Sequence, residues 1–527
     1  MATQAGIDCF RRGGNAIDAA VAASLMLSVV DGHNSGLGGG GLALLRTADG
    51  KISALDGRET APLLADASQY LNASGLPDSQ ISQEGPRAAA VPGLVALLER
   101  LSGEYGRLDW KTSLLNAAST AEEGYVISGY FARILQATAS QLSKYPSSAA
   151  ILLDSSGQPW KEGHRLRQAD LAQSLRHLAD LGSQWFYRGE FAERVERMMV
   201  EHDGLMRAED FARYKTVARE PIVVNYRGHQ VFGFPPPSSG GIHLAQMLGM
   251  LEPYDVPDIF HRSEATGHHL LLEVMKRAMA DRVHWLGDAD FASVPRGLLE
   301  PNYLRERSSQ IDLKRATEVT GHGLPPNADV DLFGRGGHTT HVATADSEGH
   351  VVALTQTVNT SFGSKMVVPG TGIVLNNEMD DFSLAPGIRN AFGLLGSEAN
   401  KIVPGKRPLS SMTPTILIDS QGRPRFSGGA AGGPRIITAV LQTLVRHLDL
   451  QMPLGKAISQ PRLHHQWSPN RAVVENAMPD KMIQELRGMG HDVQQVDTLA
   501  VAQAISFGHS QLESASDPRV PSGAQAL

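Results

Sequence analysis

Residues 337–344 read Gly337-His338-Thr339-Thr340-His341-Val342-Ala343-Thr344, and this stretch decides the fold because it sets a threonine at the head of a strand after a loop-like approach. Upstream, residues 316–338 (ATEVTGHGLPPNADVDLFGRGGH) carry paired prolines, scattered glycines and no sustained apolar period, the pattern of an exposed loop. Downstream the character switches. His341, Ala343 and Ala345 alternate with Val342 and Thr344, Asp346-Ser347-Glu348-Gly349 supplies a turn, and Val351-Val352-Ala353-Leu354 resumes extended structure. The pattern predicts a hairpin that starts at the threonine. A cut before Thr339 would free an α-amine beside its own hydroxyl, which is a self-contained nucleophile and base. A surface loop entering an ordinary strand is the plain alternative.

The 527 residues exceed the size at which a single core usually stops growing, so two domains or one large layered α/β domain is expected. Hydrophobic residues make up 42% and charged residues 20%, and no apolar run approaches the roughly 20 residues a bilayer span requires, so no membrane partner is expected. The formal charge of −7 is spread without acidic or basic blocks, which leaves no footprint for nucleic acid. A single cysteine, Cys9, excludes an intrachain disulfide and a cysteine-based zinc cluster. The opening MATQAGIDCFRRGGNAIDAAVAA lacks the charged start, apolar stretch and small-residue cleavage site of a signal peptide. Either a cytoplasmic location or a leader outside this sequence is expected.

Asn15, after Gly13-Gly14, is a predicted N-cap for a buried helix of small residues over about 16–30. Residues 42–45 and 52–55 read as strands. The middle of the chain, about 90–315, is mostly helical pattern, as in 267–286, where Leu270, Leu271, Val274, Met275 and Ala278 share one face and read as scaffold. Pro235-Pro236-Pro237-Ser238-Ser239-Gly240-Gly241 predicts a rigid turn before a helix near Ile242. After Thr339 come strand, turn and strand, a long loop over about 383–406, strands over 415–418 and 425–428, and a helix over 436–448.

Several familiar chemistries fail on context. Gly36, Gly38 and Gly41 satisfy the G-x-G-x-x-G spacing, but a helix precedes and a strand follows, the reverse of a dinucleotide site, and no Lys-Ser or Lys-Thr follows for a phosphate loop. A tight backbone turn under a site is the better reading. The pairs His268-His269 and His464-His465 lack the i, i+4 spacing with a glutamate that makes a zinc-protease helix, and His338 and His341 fall on a loop and a strand, so neither metal nor other cofactor is expected. No complete G-x-S-x-G elbow occurs and Cys9 has no evident partner, which weakens serine and cysteine nucleophiles and leaves threonine. The remaining candidates are polar clusters after Thr339. Thr355-Gln356-Thr357-Val358-Asn359-Thr360 closes a strand, and Asn376-Asn377-Glu378-Met379-Asp380-Asp381-Phe382 gathers three carboxylates and two amides. Lys406-Arg407-Pro408-Leu409-Ser410-Ser411-Met412 brings two hydroxyls, and Gly428-Gly429-Ala430-Ala431-Gly432-Gly433 has free amides suited to an oxyanion or carboxylate. Each alone is weak, because acidic loops are usually solvated and Gly-Gly turns are usually just turns.

In order, GGNAIDAAVAA, GLGGGG, LDGRETAP, TTHVATAD, TQTVNTSFGS, LNNEMDDFS, KRPLSSMTPTI and AAGGPRI closely resemble the gamma-glutamyltransferase (glutathione hydrolase) family of N-terminal nucleophile hydrolases, over nearly the whole chain. The resemblance implies a mixed α/β (α+β) fold, a four-layer αββα sandwich formed jointly by two autoprocessed subunits, residues 1–338 and 339–527, which stay associated. It implies cleavage between His338 and Thr339, then attack by Thr339 on the gamma-glutamyl amide of glutathione or glutamine-like donors. The glutamyl group passes to water or to an amino-acid or dipeptide acceptor. A free α-amine, with an unperturbed pKa of roughly 7.7 to 8.0, would accept the hydroxyl proton near neutrality. By position in the matching motifs, the resemblance gives Thr357 the role of orienting the nucleophile, and Gly432 and Gly433 the oxyanion-hole amides. Arg58, with Ser410 and Ser411, is expected to hold the donor α-carboxylate, and Asn359, Glu378 and Asp381 its ammonium. Glu378 stands at a position that is glutamate or glutamine in the family. Phe392, in a lid region over 386–400, stands where some relatives carry tyrosine. Family members usually carry a signal peptide and a further N-terminal strand ahead of the ATQAG-like segment, within which this chain starts at Met1. A periplasmic or secreted location follows if a leader precedes it. The rival readings are a glutaryl (cephalosporin) acylase of the same superfamily, whose donor lacks the ammonium and leaves Glu378 and Asp381 without a partner, and an unprocessed, non-catalytic binding protein.

Overall fold

The computed structural model describes residues 1–326, 338–385, 388–395, 398–508 and 512–527. The strands of its two large sheets are β1 (Gly40–Arg46), β2 (Ile52–Gly57), β3 (Val217–Arg219), β4 (Ile222–Tyr226), β5 (His229–Gly233), β6 (His338–Ala345), β7 (Val351–Asn359), β8 (Thr415–Ile418), β9 (Pro424–Ala431), β10 (Val501–Phe507) and β11 (Leu512–Ser516). Among the described residues these form a five-stranded sheet in the order β3-β2-β1-β7-β6 and a six-stranded sheet in the order β11-β10-β9-β8-β5-β4. Neighbours run antiparallel throughout both.

Strand composition dictates the layering. In β1 the alternation of side chains puts Leu42 and Leu44 on one face and Ala43 and Leu45 on the other, and all four are buried. A strand apolar on both faces needs cover on both. Leu42 and Leu44, with Ala54, Val351 and Ala353, pack against Ile416 and Ile418 of the second sheet and against Phe234 and Met412 beside its strands. Ala43, Leu45 and Leu55 face the other way, into a helical layer of α1 (Ala16–Val30), α2 (Leu94–Tyr105), α3 (Trp110–Glu123) and α4 (Ala169–Leu181). The second sheet is covered in turn by α5 (Gly240–Leu251), α6 (Glu264–Trp285) and α7 (Arg435–Leu444), whose Leu248, Val274 and Leu441 meet Val231, Leu417 and Phe426. The order is helix, sheet, sheet, helix, as the resemblance implies. No helix among the described residues is long and apolar enough to cross a membrane.

Local sequence signals hold where they depend on neighbours in the chain. Asn15 caps α1 by accepting from the amides of Ile17 and Asp18, while Asp18 accepts from the Asn15 amide, a closed capping box worth about 1 kcal/mol. The hairpin after Thr339 forms as β6 and β7. Three differences stand out. An additional helix, Ala2–Arg11, precedes α1 and packs on it through Ala5 and Cys9. Strands β3 to β5 interrupt the region expected to be mostly helical, because Ile222–Tyr226 and His229–Gly233 pair around the Arg227-Gly228 turn. Strand β9 continues to Ala431, so Gly428 to Ala431 belong to the sheet. Of the loop before Thr339, residues 327–337 lie outside the described residues, as do 386–387 and 396–397 of the expected lid.

Each sheet mixes strands from both sides of the His338–Thr339 bond. β1, β2 and β3 precede it, and β7 and all of β6 but its first residue follow it, in one sheet, while β4 and β5 precede and β8 to β11 follow in the other. A cut at that bond would leave two chains sharing both sheets and the cores between them.

Candidate active site

The geometry around Thr339 is set by an irregularity in the β6–β7 ladder. His338 lies opposite Asn359 and Thr340 opposite Gln356, so two steps on β6 match three on β7, and the surplus residue bulges β7 next to Thr339. The bulge is held from within. Thr357 Oγ1 accepts from the Asn359 amide at 2.8 Å, and Asn359 takes a φ of +76°, a left-handed conformation rarely used by residues other than glycine. Asn359 Nδ2 donates to the carbonyl of Asn377 at 2.9 Å, and its Oδ1 has no hydrogen-bond partner among the described residues. Thr339 itself is buried.

Beneath this bulge runs the glycine cluster that fails as a nucleotide loop. Gly40 pairs with Thr357, and a Cβ on Gly39 would stand 1.8 Å from the Thr357 carbonyl oxygen, so only a bare backbone fits there. Gly39→Ala should therefore displace Thr357 and lose most activity, as kinetics on the purified variant would check. His341, two residues beyond Thr339, bonds Thr355 Oγ1 through Nδ1 at 2.9 Å, and burial pushes its pKa down to about 3. It is neutral at physiological pH and fills the space over Gly429 between the sheets. It is thus no ready proton acceptor.

Strand β9 ends at Ala431, opposite Val501, and Gly432 (φ +135°) and Gly433 (φ +61°) turn the chain into α7. These are conformations that glycine adopts without strain, and they present backbone amides at the N-terminus of a ten-residue helix, where partial positive charge collects. Gly432, Thr339, Phe392 and Gln466 line one groove of about 1840 Å³. Phe392 is half-buried, its amide on Asn390 Oδ1 at 2.9 Å.

A second group of predicted residues is buried off this groove. Arg58 follows β2 and is fixed on several sides: its amide donates to Asp56 Oδ1 at 2.8 Å, its carbonyl accepts from the Tyr214 hydroxyl at 2.8 Å, and its Nε donates to the Pro408 carbonyl at 3.2 Å. Its guanidinium meets Glu378 at 2.6 Å, Glu59 at 3.4 Å, and Asp381 in a short ion pair. The two ends of the expected donor clamp, Arg58 for a carboxylate and Glu378 with Asp381 for an ammonium, are therefore in direct contact. Asn376 and Asn377 tether the acidic turn: Asn376 Oδ1 accepts from the Glu378 amide at 3.0 Å, its Nδ2 donates to Gly38 O at 2.8 Å, and the Asn377 amide donates to Val358 O at 3.2 Å.

Three carboxylates crowd one guanidinium here, out of water. Burial pushes Glu378 up to about 8, with Arg58 opposing and Glu59 reinforcing, and pushes Glu59 up to about 7. Burial and the Glu378 charge raise Asp381 well above the usual carboxylate range. For Arg58, burial disfavours the charge, but the surrounding carboxylates outweigh it and hold the guanidinium protonated. The cluster thus keeps one firm positive charge and a set of carboxyl groups whose ionisation depends on what approaches them.

Ser410 and Ser411 complete the set of predicted residues. Ser410 bridges to Ser238, and its amide donates to Pro237 O at 2.7 Å. Ser411 Oγ accepts from Nη2 of Arg282 at 2.9 Å. Arg282 and Glu59 belong to this polar group although the sequence reading passed them over. Arg282 lies on α6, read as scaffold from its apolar face. The overlooked signal was the run of charges on that helix, Glu273, Lys276, Arg277, Asp281 and Arg282, all of which are buried. The same helix brings His269 and Glu273 beside His491, their ligand-type atoms within 4.8 Å of one another, an assembly no local spacing announces. Lys276 at 2.5 Å and Arg277 at 2.7 Å already hold the two Glu273 oxygens, and the two histidines bond each other at 2.7 Å. Two cations so placed oppose a third. Chelator treatment should leave hydrolysis unchanged, and a loss restored by zinc would overturn this.

Two helix-covered sheets packed face to face, with a threonine opening a strand beside a bulged partner, define the class as an N-terminal nucleophile hydrolase fold. The gamma-glutamyltranspeptidase family model matches residues 2–527, and the chain belongs to that family. It is 38% identical over 523 residues to the glutathione hydrolase proenzyme of Escherichia coli strain K12, covering 98% of this chain and 89% of that one. It is 36% identical over 502 residues to the acylase ACY 1 proenzyme of Pseudomonas sp. strain V22, covering 94% and 86%. Among solved structures, the cephalosporin acylase from Bacillus halodurans is similar with a TM-score of 0.86 at 28% identity, covering 98% of this chain and 92% of that chain. Helicobacter pylori gamma-glutamyltranspeptidase is similar with a TM-score of 0.57 at 36% identity, covering 61% and 95%.

Proposed function

We propose that this chain is a self-processing gamma-glutamyl hydrolase and transferase whose nucleophile is Thr339. The observation that carries the reading is the placement of a buried threonine at the head of β6, beside a β7 bulge held by Thr357 and on one groove with Gly432. Cleavage of the His338–Thr339 bond gives Thr339 a free α-amine. That amine takes the Oγ proton as Oγ attacks the gamma-glutamyl carbonyl, and the Gly432 and Gly433 amides receive the developing oxyanion. The C–N bond breaks, the proton passes to the leaving amine, and an ester on Thr339 remains. Water, or the amine of an amino acid or dipeptide, then attacks the ester and restores the hydroxyl. Large and small pieces remain associated through the shared sheets, and no cofactor takes part.

Donor choice rests on the buried polar cluster. An ammonium brought against Glu378 and Asp381 favours their ionised forms, so binding releases a proton. Worked through linkage, the affinity for a gamma-glutamyl donor should rise with pH toward about 8, by up to tenfold per pH unit for one proton released. Measuring KM for a gamma-glutamyl anilide between about pH 6 and 8 tests the sign. A KM that climbs with pH over that range would contradict the assignment of these carboxylates. The acylase reading draws on the likeness to cephalosporin acylase. A glutaryl group keeps the carboxylate and has only hydrogen where the ammonium would go, so Glu378 and Asp381 gain no partner from it. Comparing gamma-glutamyl and glutaryl anilides decides between the two.

A further inference from the structure

Arg282 is a fully buried arginine on α6 whose guanidinium reaches two serine hydroxyls from different parts of the chain. Nε donates to Ser239 Oγ at 2.9 Å and Nη2 donates to Ser411 Oγ at 2.9 Å. A guanidinium has donors only, so both hydroxyl oxygens act as acceptors toward it. That fixes which way each hydroxyl hydrogen is spent. Ser239 donates its hydrogen to the carbonyl of Ser410 at 2.9 Å. Ser411, among the described residues, makes no hydrogen bond through its side chain other than the one it accepts, and its carbonyl is taken by Thr413 Oγ1 at 2.9 Å. Ser410 is treated alike, its Oγ accepting from the Met412 amide at 3.1 Å. The two hydroxyls that the donor reading assigns to an α-carboxylate are therefore both held through their oxygens, with the hydrogen left for an anion. Burial pushes Arg282 down to about 10, with the Asp381 charge opposing, so the guanidinium remains protonated at neutral pH within electrostatic reach of the acidic turn.

We infer that Arg282 is a positioning residue for the carboxylate end of the donor: by engaging Ser239 and Ser411 as acceptors it presents the Ser411 hydroxyl as a hydrogen-bond donor and adds a second positive charge behind the serine pair. The inference rests on the gamma-glutamyl reading above and names the group that sets its carboxylate specificity. A lysine would keep the charge but not the fork that reaches both serines at once.

The test uses three anilides: gamma-glutamyl, 4-aminobutyryl, which lacks only the α-carboxylate, and glutaryl, which lacks only the ammonium. In Arg282→Met the kcat/KM preference for gamma-glutamyl over 4-aminobutyryl should fall roughly 10- to 100-fold. The preference over glutaryl should stay within about threefold of wild type. Ser411→Ala should lower the same first ratio, and the double variant should fall no more than about threefold below the lower single one, because the two residues act through one hydroxyl. An unchanged first ratio in Arg282→Met, a parallel fall of both ratios, or fully multiplicative losses in the double variant would each overturn the proposal. If Arg282→Met does not yield folded protein, Ser239→Ala, which removes the other hydroxyl the guanidinium holds, is read in the same way, a fall in the first ratio supporting the proposal and an unchanged one overturning it. A wild type that prefers gamma-glutamyl over neither analogue sinks the donor reading itself, whatever the variants do.

Discussion

Thr339→Ala protein should run as one full-length band on a denaturing gel, while wild type gives two, the smaller beginning at Thr339. The same variant should lose activity on gamma-glutamyl anilides by on the order of 10⁴-fold or more, since removing a nucleophile eliminates the covalent route. Both effects follow from one atom. Thr339 Oγ is the hydroxyl nearest its own peptide bond, and after cleavage it is adjacent to the amine that takes its proton. Alanine removes only the hydroxyl and the γ-methyl and leaves the β-methyl at this buried position, so the variant should fold and its melting temperature should stay near that of wild type. Under native conditions the two wild-type pieces should migrate together through gel filtration, since each sheet contains strands from both. Intact wild-type protein with full activity would rule out the amine mechanism.

The second large effect is expected at the guanidinium and carboxylate cluster. Asp381→Ala should reduce kcat/KM for gamma-glutamyl donors by about 2 to 5 kcal/mol, the loss typical of stranding a buried charge. It removes the partner of the donor ammonium and also one of the carboxylates on Arg58. Arg58→Ala should be worse for the protein as a whole. It leaves Glu59, Glu378 and Asp381 crowded together without their cation, and breaking such a buried set costs about 3 to 5 kcal/mol of stability. Its melting temperature should therefore fall along with its activity, whereas Asp381→Asn, which keeps shape and a hydrogen-bonding oxygen, should lose activity with a smaller change in melting. Neither side chain is needed to cut the His338–Thr339 bond, which carries no glutamyl group, so the Asp381 variants should still yield two fragments. Unchanged gamma-glutamyl hydrolysis in Asp381→Ala would end the assignment.

How much of this was legible without coordinates depends on the range of the interactions. Asn15 and Asp18 close a capping box three residues apart, and the turn at 346–349 folds β6 back on β7, so the chain's own order determines them. Gly36, Gly38 and Gly41 were readable as a tight backbone turn under a site, whereas the close approach of Gly39 to the Thr357 carbonyl needed the structure. The ordered motifs pointed to the layered class only through their resemblance to a known family, and the structure supplies the physical reason, strands apolar on both faces that require cover on both. Only the tertiary structure decided the rest. Arg58 and Asp381 are 323 residues apart and Arg282 and Ser411 are 129 apart, and nothing local to either member of a pair announces the other. Arg282 was hidden by the apolar face of its own helix, since periodicity reports which face meets the core and is silent about a charge that the core must satisfy. The direct contact between Arg58 and the carboxylates assigned to the opposite charge was equally invisible. It arises because β2 and the acidic turn are brought to one buried point, where charges removed from water must pair with each other.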